Sequence, residues 1–264
     1  LSKYRLNTVC EEAKCPNRME CYTQRTATFL ALGKECSRSC GFCDIDFSKQ
    51  PKAPEKDEPL RIALSVKELG LKHVVITMVA RDDLPDGGAA PLVEIIREVK
   101  KQNPDVTVEL LTSDFNGNLA ALDLVLHEKP EIFNHNIETV RSLTPKVRHR
   151  ATYDRTLQIL AHAKESRQAR FIKSGIMIGL GEQEEEVKET LSDLQRAGCD
   201  IITIGHYLQP SRKQLSVKAF IPPEQFAKYA EYGHSLGVKY VYAGPFVRSS
   251  YNAHELLAKT LCLN

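Results

Sequence analysis

What this sequence lacks first is charge of one sign: 36 lysines and arginines stand against 34 aspartates and glutamates over 264 residues. A surface so balanced has none of the electrostatic footprint that nucleic acid or an anionic membrane attracts, and neither is expected as a partner. Long apolar runs are also missing. No stretch approaches the roughly 20 residues that span a bilayer, and no signal peptide is visible. There is no internal repeat and no low-complexity tract, which excludes a solenoid. What remains, with 42% apolar residues and mixed charges, is the composition of an ordinary globular protein. The length fits one large domain or two small ones, and α/β barrels of this size often form one unit. A cytoplasmic protein is expected, or an organellar one if a targeting segment precedes Leu1.

Cysteine is abundant and unevenly placed. Six of the eight, Cys10, Cys15, Cys21, Cys36, Cys40 and Cys43, fall in the first 43 residues, while Cys199 and Cys262 stand alone. A disulfide framework suits small secreted domains, whereas one dense segment in a large chain reads as metal binding in a reducing compartment. Cys199, between a helix ending at Gly198 and a strand, reads as a core thiol. Cys36-Ser-Arg-Ser-Cys40-Gly-Phe-Cys43 places three soft thiolates at Cys-x3-Cys-x2-Cys spacing, a pattern suited to iron–sulfur clusters or zinc. A closed zinc site needs four protein ligands and the motif supplies three. Three thiolates around a four-iron cluster leave one iron open to an outside ligand. The alternative is a zinc knuckle with a fourth ligand from elsewhere. Cys10-x4-Cys15-x5-Cys21 is a second triplet within 15 residues of the first. It makes two iron–sulfur clusters the better reading and also calls for a fourth ligand from outside.

After Cys43 two periodicities alternate. Strands are predicted at 28–32, 73–79, 106–111, 131–137, 171–178 and 201–205, several apolar almost without interruption, as strands buried on both faces are. Helices are predicted between them at 58–69, 90–102, 119–127, 154–166 and 184–197. Strand–helix alternation implies a parallel sheet with right-handed crossovers. Six units predict an α/β fold, a partial (β/α)6 TIM-type barrel; an open doubly wound sheet is the alternative. Three regions follow: an N-terminal extension over 1–26, the barrel over 27–220, and a C-terminal extension over 221–264. The last is predicted to carry a helix near 222–236, a strand at 239–243 and a final helix.

Barrel chemistry sits at the C-terminal strand ends. There the second strand is followed by Arg81-Asp82-Asp83-Leu84-Pro85-Asp86-Gly87-Gly88, which also reads as a capped turn. The third leads to Thr112-Ser113-Asp114-Phe115. The fourth gives Asn134-His135-Asn136-Ile137-Glu138-Thr139, where strand alternation would put Asn134, Asn136 and Glu138 on one face and His135 on the other. His135 reads as a supporting or core residue. The glycines of Lys173–Glu182 permit close backbone approach. Arg212 and Lys213 read by default as solvated charges, and Ser249 or Ser250 as a cap for the last helix.

The Cys36–Cys43 segment resembles the cluster loop of the radical S-adenosylmethionine (SAM) enzymes. Over nearly its whole length the chain resembles the lipoyl synthase family. The resemblance rests on both cysteine triplets and Thr26-Ala27-Thr28-Phe29. It continues through residues 81–88, 133–139, 173–182, 209–213 and 248–251. It implies a sulfurtransferase that inserts two sulfur atoms at carbons six and eight of an octanoyl chain, amide-linked to a lysine of a lipoyl carrier domain or glycine-cleavage H protein. Two 4Fe–4S clusters and SAM are the implied cofactors, the auxiliary cluster being the sulfur source. By the same correspondence Cys36, Cys40 and Cys43 bind the SAM cluster. Cys10, Cys15 and Cys21 bind the auxiliary cluster, with Ser250 as its fourth ligand, and Asn136, Glu138 and Arg148 hold SAM. An electron donor such as ferredoxin or flavodoxin and a cluster-rebuilding protein are implied as partners. The chain departs from the family's usual Ser-Val-Asp-Arg-Asp-Asp with Met78-Val79-Ala80-Arg81-Asp82-Asp83, losing a hydroxyl and a carboxylate; His206 and Asn252 are milder departures. A methylthiotransferase, which adds an RNA-binding domain, and a non-catalytic cluster scaffold are the alternatives.

Overall fold

The computed structural model describes residues 6–12, 15, 17 and 28–250. Among these the strands in chain order are β1 (Asn7–Thr8), β2 (Thr28–Ala31), β3 (Glu35–Cys36), β4 (Asp46–Phe47) and β5 (His73–Met78), then β6 (Thr107–Leu111), β7 (Ile132–Asn134), β8 (Phe171–Ile178), β9 (Ile201–His206) and β10 (Tyr240–Gly244). One eight-stranded sheet runs β1-β2-β5-β6-β7-β8-β9-β10. Every neighbouring pair from β2 to β10 is parallel, and β1 adds an antiparallel edge. A doubly wound sheet reverses its strand order at a switch point. Here the order never reverses, which is the arrangement of a partial barrel.

Burial explains the strands. All residues of β2, β5, β7 and β9 are buried, with Val74, Ile76, Val108, Phe133, Ile202 and Ile204 in one continuous core. Helices cover the outside: α2 (Glu58–Glu68), α3 (Ala89–Gln102), α4 (Leu119–Leu126), α6 (Tyr153–Ser166), α7 (Glu184–Arg196) and α8 (Pro223–Ser235), after a single turn α1 (Val9–Glu12) and with a second, α5 (Thr144–Val147), between α4 and α6. Helix α7 shows how the ends are set. Gln183 and Glu186 form a reciprocal capping box, three glutamates fill the first turn and Arg196 the last, matching the helix dipole. Its buried stripe is Val187, Thr190, Leu191 and Leu194.

The six predicted barrel strands are all present, and β10 joins the same sheet beside β9 with α8 as its crossover. Residues 223–244 thus share the barrel's sheet. The predicted final helix, Cys262, Tyr251 and Asn252 lie outside the described residues. No helix among those described is long and apolar enough to cross a membrane.

Candidate active site

The first thiol loop is fastened on three sides. At its start β3 pairs with β4, setting Cys36 beside Phe47. Ser37 donates from its backbone N–H and its hydroxyl to Ala80 O, at 3.0 and 2.9 Å, and its Oγ accepts from Asp82 N–H at 2.9 Å. Arg38, almost fully buried, donates from Nε and Nη2 to the two Asp82 oxygens at 2.8 and 2.7 Å. Its Nη2 also lies 2.6 Å from Asp114, whose own second oxygen meets Arg155 at 3.1 Å. Further along, Gly41 donates to Val147 O and accepts from Leu215 N–H, both at 2.8 Å. A Cβ at Gly41 would come within 3.0 Å of the Leu215 side chain and 3.2 Å of Lys146 O, so this close approach requires glycine.

Cys36, Cys40 and Cys43 are free, half-buried, and line one cavity of about 530 Å³. Burial pushes the Cys36 thiol up, Cys40 up to about 11 and Cys43 up to about 12. They are therefore protonated at neutral pH until metal displaces the protons. Among the described residues no group of three or more His, Cys, Asp or Glu is gathered tightly enough for one metal ion. Thiolates around a four-iron cluster bind separate irons and stand further apart than the ligands of a single zinc.

Beside the thiols the cavity is lined by Asn136, Glu138, Arg148, Thr112, Gly175 and Thr203. Two buried oxygens here, Asn136 Oδ1 and Thr112 Oγ1, have no hydrogen-bond partner, which is costly unless a ligand supplies one. A Cβ on Gly175 would sit 2.7 Å from Thr203 Oγ1 and 2.9 Å from Asn136 Oδ1. Arg148 Nη1 donates to Asn136 O at 2.5 Å. Burial raises the Glu138 carboxyl and the Arg148 cation partly counters it. A carboxylate, a guanidinium and unpaired amide and hydroxyl oxygens form a donor set that fits a zwitterionic amino-acid head. His135 also lines the cavity, with Nδ1 2.9 Å from Thr112 O and Nε2 3.3 Å from Thr156 Oγ1. Burial and the nearby Arg148 cation hold its pKa down to about 4, so the neutral ring donates to the carbonyl and accepts from the threonine.

The same cavity brings together the N-terminal segment and the turn after β10. Cys15, Arg248, Ser249 and Ser250 all line the same cavity. Asn17 Nδ2 donates to Phe246 O at 2.7 Å, tying the N-terminal segment to the turn after β10. Ser249 Oγ accepts from Asn136 Nδ2 at 3.2 Å. Burial lowers the Arg248 pKa. Cys21 lies outside the described residues, and of Cys10 only the backbone, in α1, is described. Thr26 and Ala27 also lie outside them.

The faces follow the sequence pattern: Asn134 donates to Glu109 Oε1 at 2.8 Å and Asn136 faces Gly175, while His135 turns its Nε2 to Thr156 of α6, though it too is among the residues lining the cavity. What differs is the strand's length: β7 ends at Asn134, and Glu138, which also lines the cavity, has φ +67. The Arg81–Gly88 run is structural in its details. Arg81 pairs with Asp83 at 2.8 Å, and Asp86 accepts from the Gly88 and Ala90 N–H groups at the start of α3. Met78 and Ala80 do line the cavity. Cys199 is buried in the core. The sequence puts Thr112, Asp82 and Asp114 at strand ends without giving them a role; the structure places Thr112 in the cavity lining and both carboxylates on Arg38. Arg38's place between two cysteines was the one available signal.

The comparisons agree with this geometry. The model of the Radical SAM superfamily matches residues 30–194. The chain is 63% identical over 261 residues to a lipoyl synthase of Protochlamydia amoebophila, covering 98% of this chain and 81% of that protein. It is 56% identical over 251 residues to a lipoyl synthase of Chlamydia trachomatis serovar L2, covering 95% and 80%. Among solved structures, methylornithine synthase aligns with TM-score 0.55 at 16% identity, over 84% of this chain and 74% of that one. The FeFe-hydrogenase maturase HydG from Carboxydothermus hydrogenoformans aligns with TM-score 0.61 at 16% identity, over 89% and 67%. At those identities the structures speak for the fold, while the sequence relatives settle the family: the chain belongs to the lipoyl synthases of the radical SAM superfamily.

Proposed function

We propose that this chain forms the lipoyl group by inserting two sulfur atoms into the C–H bonds at carbons six and eight of a protein-bound octanoyl-lysine. The observation that carries the reading is one cavity lined both by the Cys36–Cys40–Cys43 loop and by Cys15 and Ser250, in a chain 63% identical to a lipoyl synthase. Unactivated C–H bonds offer no proton for a positioned base, so a cofactor must carry the difficult step. When bound, the two 4Fe–4S clusters and SAM supply an electron, a carbon-centred radical and sulfur.

Cys36, Cys40 and Cys43 would hold the SAM cluster. The Ser37 and Arg38 contacts keep their loop seated on the barrel mouth. Asn136, Glu138 and Arg148 would hold SAM, the carboxylate facing its ammonium and the guanidinium its carboxylate. Cys10, Cys15 and Cys21 would hold the auxiliary cluster, with Ser250 as fourth ligand. An oxygen donor is a poorer match than thiolate for iron in a sulfide cluster, which suits a bond that must open. The apolar lining beside Ile176, Met177 and Leu208 keeps water from the acyl chain. The acyl carrier is a lipoyl carrier domain or glycine-cleavage H protein, reduced ferredoxin or flavodoxin supplies electrons, and a further protein rebuilds the auxiliary cluster, all in the cytoplasm.

Two variants test the division of labour. With SAM, dithionite and an octanoyl-lysyl peptide under anaerobic conditions, Cys36→Ala is expected to abolish 5′-deoxyadenosine formation. Cys15→Ala is expected to keep it and form no lipoyl product. Sulfur insertion by Cys15→Ala would remove the auxiliary site from the reaction.

A further inference from the structure

We propose that residues 211–220, beside the cavity mouth, form the docking surface for the protein that carries the acyl-lysine, and that they receive an acidic face of that partner. The proposal rests on the function proposed above, since only a protein-borne substrate requires the mouth to meet a second protein surface.

Arg212, Lys213 and Lys218 are exposed, and the segment contains no acidic residue. Among the described residues none of the three forms a salt bridge, and the one carboxylate that meets the segment, Asp44, accepts instead from Ser211 Oγ at 2.8 Å and Gln214 Nε2 at 3.4 Å. With a net charge of only +2 for the whole chain, this cluster is a local feature and not a sample of the average surface. Surface cations are usually interspersed with acids, so an unpaired group at a site entrance favours an anionic partner.

Phe220 is the second feature. It is 85% exposed, yet its ring is stacked on His206, with centroids 5.6 Å apart and planes 21° from parallel. The backbone leading to it is fixed as well. Lys218 and Ala219 N–H donate to Gly179 O at 2.8 and 3.4 Å, and Ala219 O lies 3.1 Å from His206 Nε2. Gly179 has φ +101, and a Cβ there would sit 2.8 Å from Ala219 O, so the close approach depends on that glycine. The ring is therefore held in water by the fold. A rigid exposed aromatic beside unpaired cations has the make-up of an interface anchor with a steering rim.

The segment's position relates it to the site. Gln209 and Pro210, just before it, line the cavity, and Leu215 packs on Gly41 in the thiol loop. A protein docked on residues 211–220 lies within reach of the mouth through which an acylated lysine enters.

The test compares two substrates in single turnovers of the cluster-loaded enzyme, an octanoylated carrier protein and a short octanoyl-lysyl peptide, with KM taken as the half-saturating substrate concentration and kcat as the maximal single-turnover rate. For Lys213→Glu/Lys218→Glu and for Phe220→Ser, KM for the carrier is expected to rise about tenfold or more, with kcat at saturation and both constants for the peptide unchanged. Added salt should raise the wild-type KM for the carrier and affect the charge-reversed variant much less. Unchanged carrier KM in both variants would overturn the proposal, as would equal losses on carrier and peptide. A wild-type dimer dissociated by Phe220→Ser in sedimentation would give the surface to a second copy of the chain and overturn it too. If the wild type sulfurates neither substrate, the function itself fails and the docking surface with it. Turnover of the peptide with indifferent carrier kinetics sinks the docking surface alone.

Discussion

Removing the Arg38 guanidinium should loosen the thiol loop and destabilise the whole barrel mouth. In Arg38→Met the side chain keeps much of its apolar stem but loses the fork that meets Asp82 and Asp114. Asp114 is fully buried, and Arg38 is the main cation offsetting the burial that would raise it; its carboxyl is held at about 2. Breaking a buried ion pair from one side costs roughly 3–5 kcal/mol. The lower end applies here, because Asp114 keeps Arg155 at 3.1 Å and Asp82 keeps Arg150 at 3.7 Å. About 3 kcal/mol in a chain of this size corresponds to a fall of roughly 6–12 °C in Tm. The sign with pH follows from the depressed carboxyl. Its stabilisation is complete above the unfolded-state value of about 3.9 and is lost as pH falls through about 2, so the deficit of the variant should be constant between pH 5 and 8. The assay is a thermal melt with iron and sulfide content per chain on anaerobically prepared protein. Arg38→Lys, which keeps the charge and loses the bidentate geometry, should fall between the two. A variant with wild-type Tm and full iron content would falsify the clamp.

A second ion pair lies deeper in the barrel: Lys173 and Glu109, both 0% exposed, at 2.9 Å, with His73 and Asn134 beside them. Lys173→Met is expected to cost about 3–5 kcal/mol in chemical denaturation, and Lys173→Met/Glu109→Leu to recover most of it. Burial alone would raise Glu109, but Lys173 and His73 hold it at about 2, so the wild-type advantage over the double variant should shrink only below pH 4 to 5. At the auxiliary site Ser250→Cys should retain the cluster and slow sulfur insertion, and Ser250→Ala should leave one iron open. The same pair at Ser249 is the control, and normal lipoyl formation by both Ser250 variants would leave that residue no ligand role.

Much of the barrel could be read from the chain because strands buried on both faces are written as apolar runs, as in His73–Met78 and Ile201–His206. Strand β7 came out shorter than its apolar and polar pattern suggested. Beyond Asn134 the regular ladder gives way to separate bonds to β8, from His135 N–H to Lys173 O and from Glu138 N–H to Gly175 O, and Glu138 adopts a left-handed conformation. Nothing in the residue types from 134 to 138 marks that departure. Strand β1 is two residues long, below the length at which a period can be recognised. The thiol loop was legible because its three cysteines lie within eight residues of one another. The residues that hold it were not: Arg38 finds Asp82 at a separation of 44 residues, and Asn17 finds the Phe246 carbonyl at 229. Such pairs are chosen by the order in which strands meet in the sheet, which no local pattern records.

The central claim is that the chain moves sulfur from its own auxiliary cluster into an acyl chain. It is tested most directly by rebuilding the clusters with heavy-isotope sulfide and running a single turnover in unlabelled sulfide, with SAM, reductant and an octanoylated carrier. The account predicts a carrier lysine that has gained two sulfur atoms, both heavy, by mass spectrometry. Two light sulfurs would contradict the cluster as donor, and an unchanged octanoyl chain alongside 5′-deoxyadenosine would contradict sulfur insertion itself.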